Sequence, residues 1–312
     1  MKTEDIRTVS IIGAGLMGHG IGAVFARHGY SVMLMDTKQG FLSNAQTQID
    51  RDFDRCIEGD VLTQDQCDQA LSRIKTTVDI KEAAAKADLV IEAVAENIDV
   101  KRQVFSDLDR FAPKHAILAT NTSGLPITQI ASFTQTPERV VGTHFWNPPL
   151  LMRAVEIIRG EGTSDQTVQV VKDVLTKVGK RPVVVSKDVP GQVGIRILYT
   201  MLREAISLVE KGVASAEDVD IIVQEALGTR LPILGVLELA DLSGLDLALA
   251  VSSSLFKDLD ASKEPHALLK EKVARGETGA KSGRGFYDWS KRSLPEVIRK
   301  RDEHLMKLMR EK

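Results

Sequence analysis

The sequence predicts a doubly wound α/β sheet followed by an all-helical domain. Three observations carry that prediction. Short β-branched runs alternate with helical stretches through the first 188 residues. A glycine-rich loop stands between the first run and the first helix. From about residue 189 the strand signals thin out and helical spacing takes over. A chain of 312 residues suits two such domains better than one core.

The elements follow in order. RTVSII (7–12) is short and β-branched, hence a buried strand, and a helical pattern runs from the glycines to about His28. SVMLMD (31–36) is the second strand and ends in an acid. One long amphipathic helical region is expected over 38–73, then a strand at DLVIEAV (88–94) and a helix at 99–111. HAILATN (115–121) and ERVVGTH (138–144) are two further strands. After Ile158 a helix over 164–178 leads into the strand RPVVVSK (181–187). The boundary is set at 188–189. Beyond it, Ile195, Leu198, Leu202, Ile206 and Val209 share one helical face, and Gly212 suits a C-cap. Ser215 with Asp218 resembles a capping box, and LADLSGLDLALAVSSSLF is apolar over much of its surface. The tail LPEVIRKRDEHLMKLMREK reads as an amphipathic helix with a solvated charged face.

Composition excludes several classes. A net charge of −2 gives no electrostatic case for a nucleic-acid or anionic-membrane partner. Cys56 and Cys67 stand in no metal-like or redox-like spacing, which suits a reduced, cytoplasmic compartment and no metal site. The N-terminal apolar stretch is interrupted by glycines and preceded by Glu4 and Asp5, so it does not read as a secretory signal. No stretch reaches the roughly 18 apolar residues of a membrane span.

IIGAGLMGHG matches G-x-G-x-x-G. Gly13 permits the tight turn, Gly15 lets a pyrophosphate approach the backbone, and Gly18 lets the helix pack on the strand. Leu16 and Met17 lie in the same loop. The helix N-terminus supplies unpaired N–H groups and a dipole for the phosphates. Asp36 ends the next strand, where a carboxylate accepts from both ribose hydroxyls and repels a 2′-phosphate. No arginine follows it immediately, which favours NAD over NADP, with Lys38 a weak counter-signal. The expected first domain is therefore a Rossmann domain that binds NAD.

VVGTHFWNPPLLMRAVEII (140–158) raises a chemical question. If 138–145 and 153–158 pair as antiparallel strands about Leu150, His144 and Glu156 face each other. A carboxylate beside an imidazole fixes its tautomer and stabilises the imidazolium. Oxidation of an alcohol by hydride transfer needs a base for the hydroxyl proton, with a pKa near working pH. His144 would be that base and Glu156 its orienter. The competing reading is a core histidine satisfied by a carbonyl, with Glu156 exposed on an edge strand. In LATNTSG, Asn121 and Ser123 follow a strand that would end at the ligand crevice; ordinary turn chemistry explains the same residues.

GAGLMGHGIG, LVIEAVAENIDVK, NTSGLPIT, HFWNPP…VEII, KDVPG, LELADLSGLD and KSGRGFYDW together resemble the L-3-hydroxyacyl-CoA dehydrogenase family over essentially the whole chain. The resemblance implies His144 as general base held by Glu156, and Ser123 in contact with substrate and nicotinamide. It implies Glu96 and Lys101 near the cofactor, and Asn121 and Asn147 in support of the site. It also implies a helical domain that forms a homodimer, an active site in a cleft between domains, and oxidation of a 3-hydroxybutyryl-CoA-like ester to the 3-ketoacyl-CoA, as in fatty acid metabolism.

The chain departs from the family in several places. PGQVGIR puts Gln192 where the family has Phe, and Ile195 where it has an Asn that positions substrate. The lysine-rich segment often found near the CoA phosphates reads DRDFDRCIEGDVLTQDQ, with Arg51 and Arg55 offset by acids. NTSG and HFWNPP replace the common NTSS and HFFNP, and RAVEII places Arg153 near the dyad, where it would hold a substrate carboxylate or simply end a solvated strand. Family weight favours a CoA ester. The departures favour a free hydroxy acid or other non-CoA alcohol of the gulonate, carnitine or pyridine-alcohol type. A non-catalytic NAD-binding relative, as in lens λ-crystallin, is the reading from another class.

Overall fold

A computed structural model describes residues 2–310. The chain divides into two compact units, residues 1–195 with 300–312, and residues 196–299. The first compact unit runs on to Ile195, a few residues past the expected 188–189 boundary, and takes in the tail from Lys300.

The first unit is an eight-stranded sheet in the order β3-β2-β1-β4-β5-β6-β7-β8. Its strands are β1 (Thr8–Ile12), β2 (Ser31–Met35), β3 (Ile74–Thr77), β4 (Leu89–Glu92), β5 (Ile117–Thr120), β6 (Val140–Phe145), β7 (Ala154–Ile158) and β8 (Arg181–Val185). All neighbours are parallel except β6 and β7. Helices α1 (Gly18–Arg27), α2 (Gln39–Glu58), α3 (Gln64–Ser72) and α7 (Asp165–Lys177) share one hydrophobic cluster. Helices α4 (Ile80–Ala84), α5 (Ile98–Phe111) and α6 (Ile127–Ala131) share the other. Alternation along the strands feeds both: Val9 and Ile11 join the first cluster and Ile12 the second, Ile91 the first and Val90 the second. This is the doubly wound sheet that the sequence predicts.

Two features differ from expectation. The helical stretch over 38–73 is two helices, because Thr63 caps α3 reciprocally with Gln66. The strand β3, IKTT, lies at the sheet edge beyond it and escaped the reading, as did α4. Both are shorter than a window in which periodicity shows.

Register decides where the site forms. Ile12 pairs with both Met35 and Glu92, and Glu92 pairs with Thr120. Gly13, Asp36 and Asn121 therefore leave the sheet at one carboxyl edge, beside β1 and β4, where the strand order reverses direction and ligands of such sheets bind.

The second unit is helical. It holds most of α8 (Gly194–Glu210), then α9 (Ala216–Ile222), continued by a π turn over Val223–Gly228, α10 (Val236–Ser243), α11 (Leu245–Leu255), α12 (Ala267–Ala274) and the start of α13 (Leu294–Arg310). Ser215 caps α9 by accepting from the Asp218 N–H at 3.0 Å. Glu210 accepts from His266 Nδ1 and from the Leu268 N–H, and the Tyr287 hydroxyl donates to Asp220. No described helix is long and apolar enough to cross a membrane.

The tail corrects a further expectation. Its charged face is not uniformly solvated: Asp302 and Met306 are buried. Asp302 accepts from Arg55 of α2, and Met306 lies where only a glycine at 59 leaves room.

Candidate functional site

The glycine loop is built as its spacing implies. Gly13 has φ +101°, and a Cβ there would come within 2.6 Å of the Ala93 carbonyl oxygen. A Cβ on Gly18 would overlap the Gly13 carbonyl, so α1 can start close against β1 only with glycine there. Gly15 faces open space, Leu16 is exposed, and Met17 is the residue before the helix. At the start of α1 the His19 N–H turns back onto the Gly15 carbonyl at 3.3 Å, and the positive end of the helix dipole faces the loop, where it favours an anion. Asp36 Oδ2 accepts from the Ala14 N–H at 2.8 Å and Oδ1 from the Thr37 N–H at 2.7 Å. The acid is thus fixed beside the loop. A backbone cradle left open at Gly15, where a Cβ would project into the space, and ended by an oriented carboxylate fits the diphosphate and ribose of NAD.

His144 and Glu156 are paired residues of the antiparallel β6–β7 ladder. Their side chains meet, Nδ1 to Oε2, at 2.8 Å, and both are buried. The competing reading of a carbonyl-satisfied histidine is overturned by that contact. Because Nδ1 faces a carboxylate it carries the ring proton, so Nε2 is the nitrogen left to accept one. Burial alone would raise the Glu156 carboxyl. Hydrogen bonds from His144 and from the Gly194 and Val193 N–H groups outweigh it and hold the carboxyl below its ordinary value. Those two N–H groups reach Oε1 at 2.9 and 3.0 Å. The Trp146 ring lies 5.1 Å from the imidazole, centroid to centroid, and a Cβ on Gly194 would strike it.

The remaining candidates divide. Ser123 and Asn147 are both exposed, and no hydrogen bond of either side chain is fixed within the described chain. Asn121 is already engaged: its Oδ1 accepts from the Phe145 N–H at 2.8 Å and ties β5 to the residue after His144. Glu96 Oε1 accepts from the Thr122 hydroxyl and from the Ser123 and Gly124 N–H groups, so it shapes the turn that carries Ser123. Its carboxyl would be raised by burial but is held low by Thr122, by the charge of Lys101 and by those N–H groups. Lys101 is turned inward. Only 1 % of it is exposed, and its ammonium reaches Glu92 at 2.7 and 2.9 Å and Glu96 at 3.4 Å. It acts through those acids and offers a cofactor no free donor.

Three participants escaped the sequence reading. Glu92, buried in β4, accepts from Lys101, the Thr120 hydroxyl and the Val94 N–H. An acid inside the apolar run LVIEAV was its available signal. Val193 and Gly194 had none, because a backbone donor leaves no mark on residue type. Arg153 was expected near the dyad. It lines a separate cavity with Arg27, His28 and Lys180 instead.

Comparison with known proteins supplies the rest. Residues 8–189 match the family model for the 3-hydroxyacyl-CoA dehydrogenase NAD binding domain, and residues 191–289 that for its C-terminal domain. The chain belongs to the 3-hydroxyacyl-CoA dehydrogenase family. As a member of that family it is an oxidoreductase that acts on a CH–OH group with NAD. It is 37 % identical over 312 residues to 5-formyl-3-hydroxy-2-methylpyridine 4-carboxylate 5-dehydrogenase of Mesorhizobium japonicum, covering 98 % of each chain. It is 40 % identical to a probable 3-hydroxybutyryl-CoA dehydrogenase of Bacillus subtilis, over 93 % of this chain and 99 % of that one. A crystal structure of the pyridine carboxylate dehydrogenase, described as an NAD+ dependent dismutase, superposes with TM-score 0.91 at 36 % identity over 98 % of both chains. That of (S)-3-hydroxybutyryl-CoA dehydrogenase from Ralstonia eutropha gives 0.77 at 39 % identity, over 92 % of this chain and 100 % of the other.

Proposed function

We propose that this family member oxidises, reversibly and with NAD, a free hydroxylated acid or pyridine alcohol that is not carried on CoA. The observation that carries this reading is the end-to-end likeness to the pyridine carboxylate dehydrogenase, TM-score 0.91 over 98 % of both chains. The 3-hydroxybutyryl-CoA dehydrogenase structures reach 0.77. Two local features support it. Ile195 cannot donate the hydrogen bond of the family's asparagine. Gln192 is 1 % exposed, and neither end of its amide has a partner in the described chain. A buried, unpaired amide costs roughly 1–3 kcal/mol, which a polar substrate group nearby would recover.

In this reading His144 Nε2 takes the hydroxyl proton, and Glu156 stabilises the imidazolium that results. Ser123 and Asn147 position the reacting oxygen. NAD, when bound, supplies the hydride acceptor. Glu96 and Lys101 hold the Ser123 turn and Asn121 holds β6, so all three are positioning residues. The protein works as a homodimer in the cytoplasm, a setting that suits two buried free cysteines.

The second reading, a 3-hydroxyacyl-CoA substrate, is favoured by relatives at 40–42 % identity that carry the 3-hydroxybutyryl-CoA dehydrogenase name. NADH absorbance separates the two. Pyridine alcohols, carnitine, gulonate and free 3-hydroxybutyrate are run against 3-hydroxybutyryl-CoA. Turnover of a free compound at a kcat/KM well above that of the ester is expected. The reverse preference overturns the reading. His144→Gln should lower kcat by roughly 10²-fold or more on the accepted substrate, with NAD affinity unchanged by fluorescence titration.

A further inference from the structure

A cavity of about 190 Å³ lies behind the hairpin that carries the dyad. It is a half-open cleft between the C-terminal end of α1, the turn carrying Leu150 and Arg153, and the turn before β8. Arg27, Arg153 and Lys180 line it, with His28, Leu150 and Met309. Among the described residues no carboxylate lines it. Its lining includes no residue of the glycine loop or the dyad, and Arg27 stands nine residues along α1 from Gly18.

Lys180 is 7 % exposed and spends two of its three N–H donors on the Pro149 and Met152 carbonyls, at 2.6 and 2.9 Å. One donor remains. Burial, then Arg27 and Arg153, push its ammonium down to about 7. His28 is lowered for a related set of causes: burial first, against its hydrogen bond to the Val24 carbonyl, then Arg27 and Lys180. Two neighbouring groups thus feel the same positive field. The carbonyl end of α1 offsets about half a unit charge, against three cations gathered here. Lys180 is buried, Arg27 half-buried and Arg153 exposed at the rim. A buried charge is ordinarily paired, and among the described residues no acid is paired with Lys180 or with either arginine of the cavity.

We propose that this cavity is a binding site for a small anion of the phosphate or carboxylate class, held by Arg27, Arg153 and Lys180. Pockets for drug-sized ligands run to about 300–1,000 Å³, so a nucleotide is too large for it. The arginine guanidinia match the planar oxygen pairs of either anion. The bound anion ties the end of the cofactor helix to the turn that joins β6 and β7.

Calorimetry on the full-length protein tests this, with inorganic phosphate and succinate titrated separately at constant ionic strength near pH 7. A saturable single site is expected for at least one. Tighter binding of phosphate assigns a phosphoryl group, and tighter binding of succinate a carboxylate. Arg153→Ala should weaken binding about tenfold, the effect of one lost charge-assisted contact, and leave NADH-forming turnover unchanged. Repeating the titration in two buffers of different ionisation enthalpy should show proton uptake as Lys180 recharges. Saturating NAD should not displace the anion. Absence of a saturable heat with both anions overturns the proposal. So does equal affinity in Arg153→Ala and Arg27→Gln, or competition by NAD, which would place the anion on the glycine loop.

Discussion

At the scale of single residues the dyad sets the pH behaviour. The Glu156 carboxyl, which burial alone would raise, is held below its ordinary value by His144 and two backbone N–H groups. It therefore contributes stability that is in full force above the ordinary carboxylate pKa, near 4.3, and is lost as pH falls through the lowered folded value. Urea midpoints followed from neutral to acid pH should fall more steeply in the parent than in Glu156→Gln, which has no such carboxyl to protonate. Parallel curves would remove Glu156 from the acid limb. Lys101 makes a second test. Lys101→Met leaves the Glu92 carboxylate buried without its partner, and loss of one member of such a pair costs about 3–5 kcal/mol. The double change Lys101→Met with Glu92→Leu should recover much of that. If the single variant denatures like the parent, the pair contributes nothing. The dyad was readable because hairpin pairing is simple arithmetic about Leu150. The Val193–Gly194 grip on Glu156 was not, since it joins residues 37 and 38 apart through backbone donors.

Among elements, the readable ones are those whose signal is local. The glycine loop, Asp36 and the alternating strands depend on neighbours in sequence, and they stand in the structure as the sequence predicts. What failed was short or long-range. The edge strand β3 has four residues, too few for alternation to show. The tail helix α13 owes its buried face to α2, some 250 residues earlier, so its charges read as solvated. Its docking is testable. Met306 is 4 % exposed and packs in the main cluster, and Met→Ala at a buried site costs about 2–5 kcal/mol. Met306→Ala should lower the urea midpoint accordingly, whereas Leu294→Ala, 40 % exposed at the start of the same helix, should shift it by well under 1 kcal/mol. At the other end of the fold, Gly18→Ala forces α1 away from the Gly13 carbonyl. With the dinucleotide phosphates on the helix N-terminus, as the cradle implies, NAD affinity should fall roughly tenfold or more. Unchanged NAD binding would mean that the loop tolerates the shift.

For the whole molecule the question is what the helical unit does with its apolar surface. Along α10 and α11 and the segment before them, Ile233, Leu237, Leu242, Leu245 and Leu249 are exposed by 79, 83, 72, 62 and 69 %. Neither helix has a buried residue. Isolated exposed leucines are ordinary, but a run of five on consecutive turns exceeds the apolar patch that a monomer usually leaves in water. A net charge of only −2 adds little repulsion to keep copies apart. In the homodimer proposed above a second copy would cover such a face with a matching one, since a two-fold interface is self-complementary. Sedimentation should therefore give twice the 34.2 kDa chain mass at micromolar concentration. Leu237→Glu with Leu249→Glu should shift the protein to monomer by placing unpaired charges in that interface. NAD binding should survive in the monomer, because every residue of the glycine loop and Asp36 belongs to the first unit. A parent that sediments at the chain mass, or a double variant that remains a dimer, would assign the apolar face to something other than self-association.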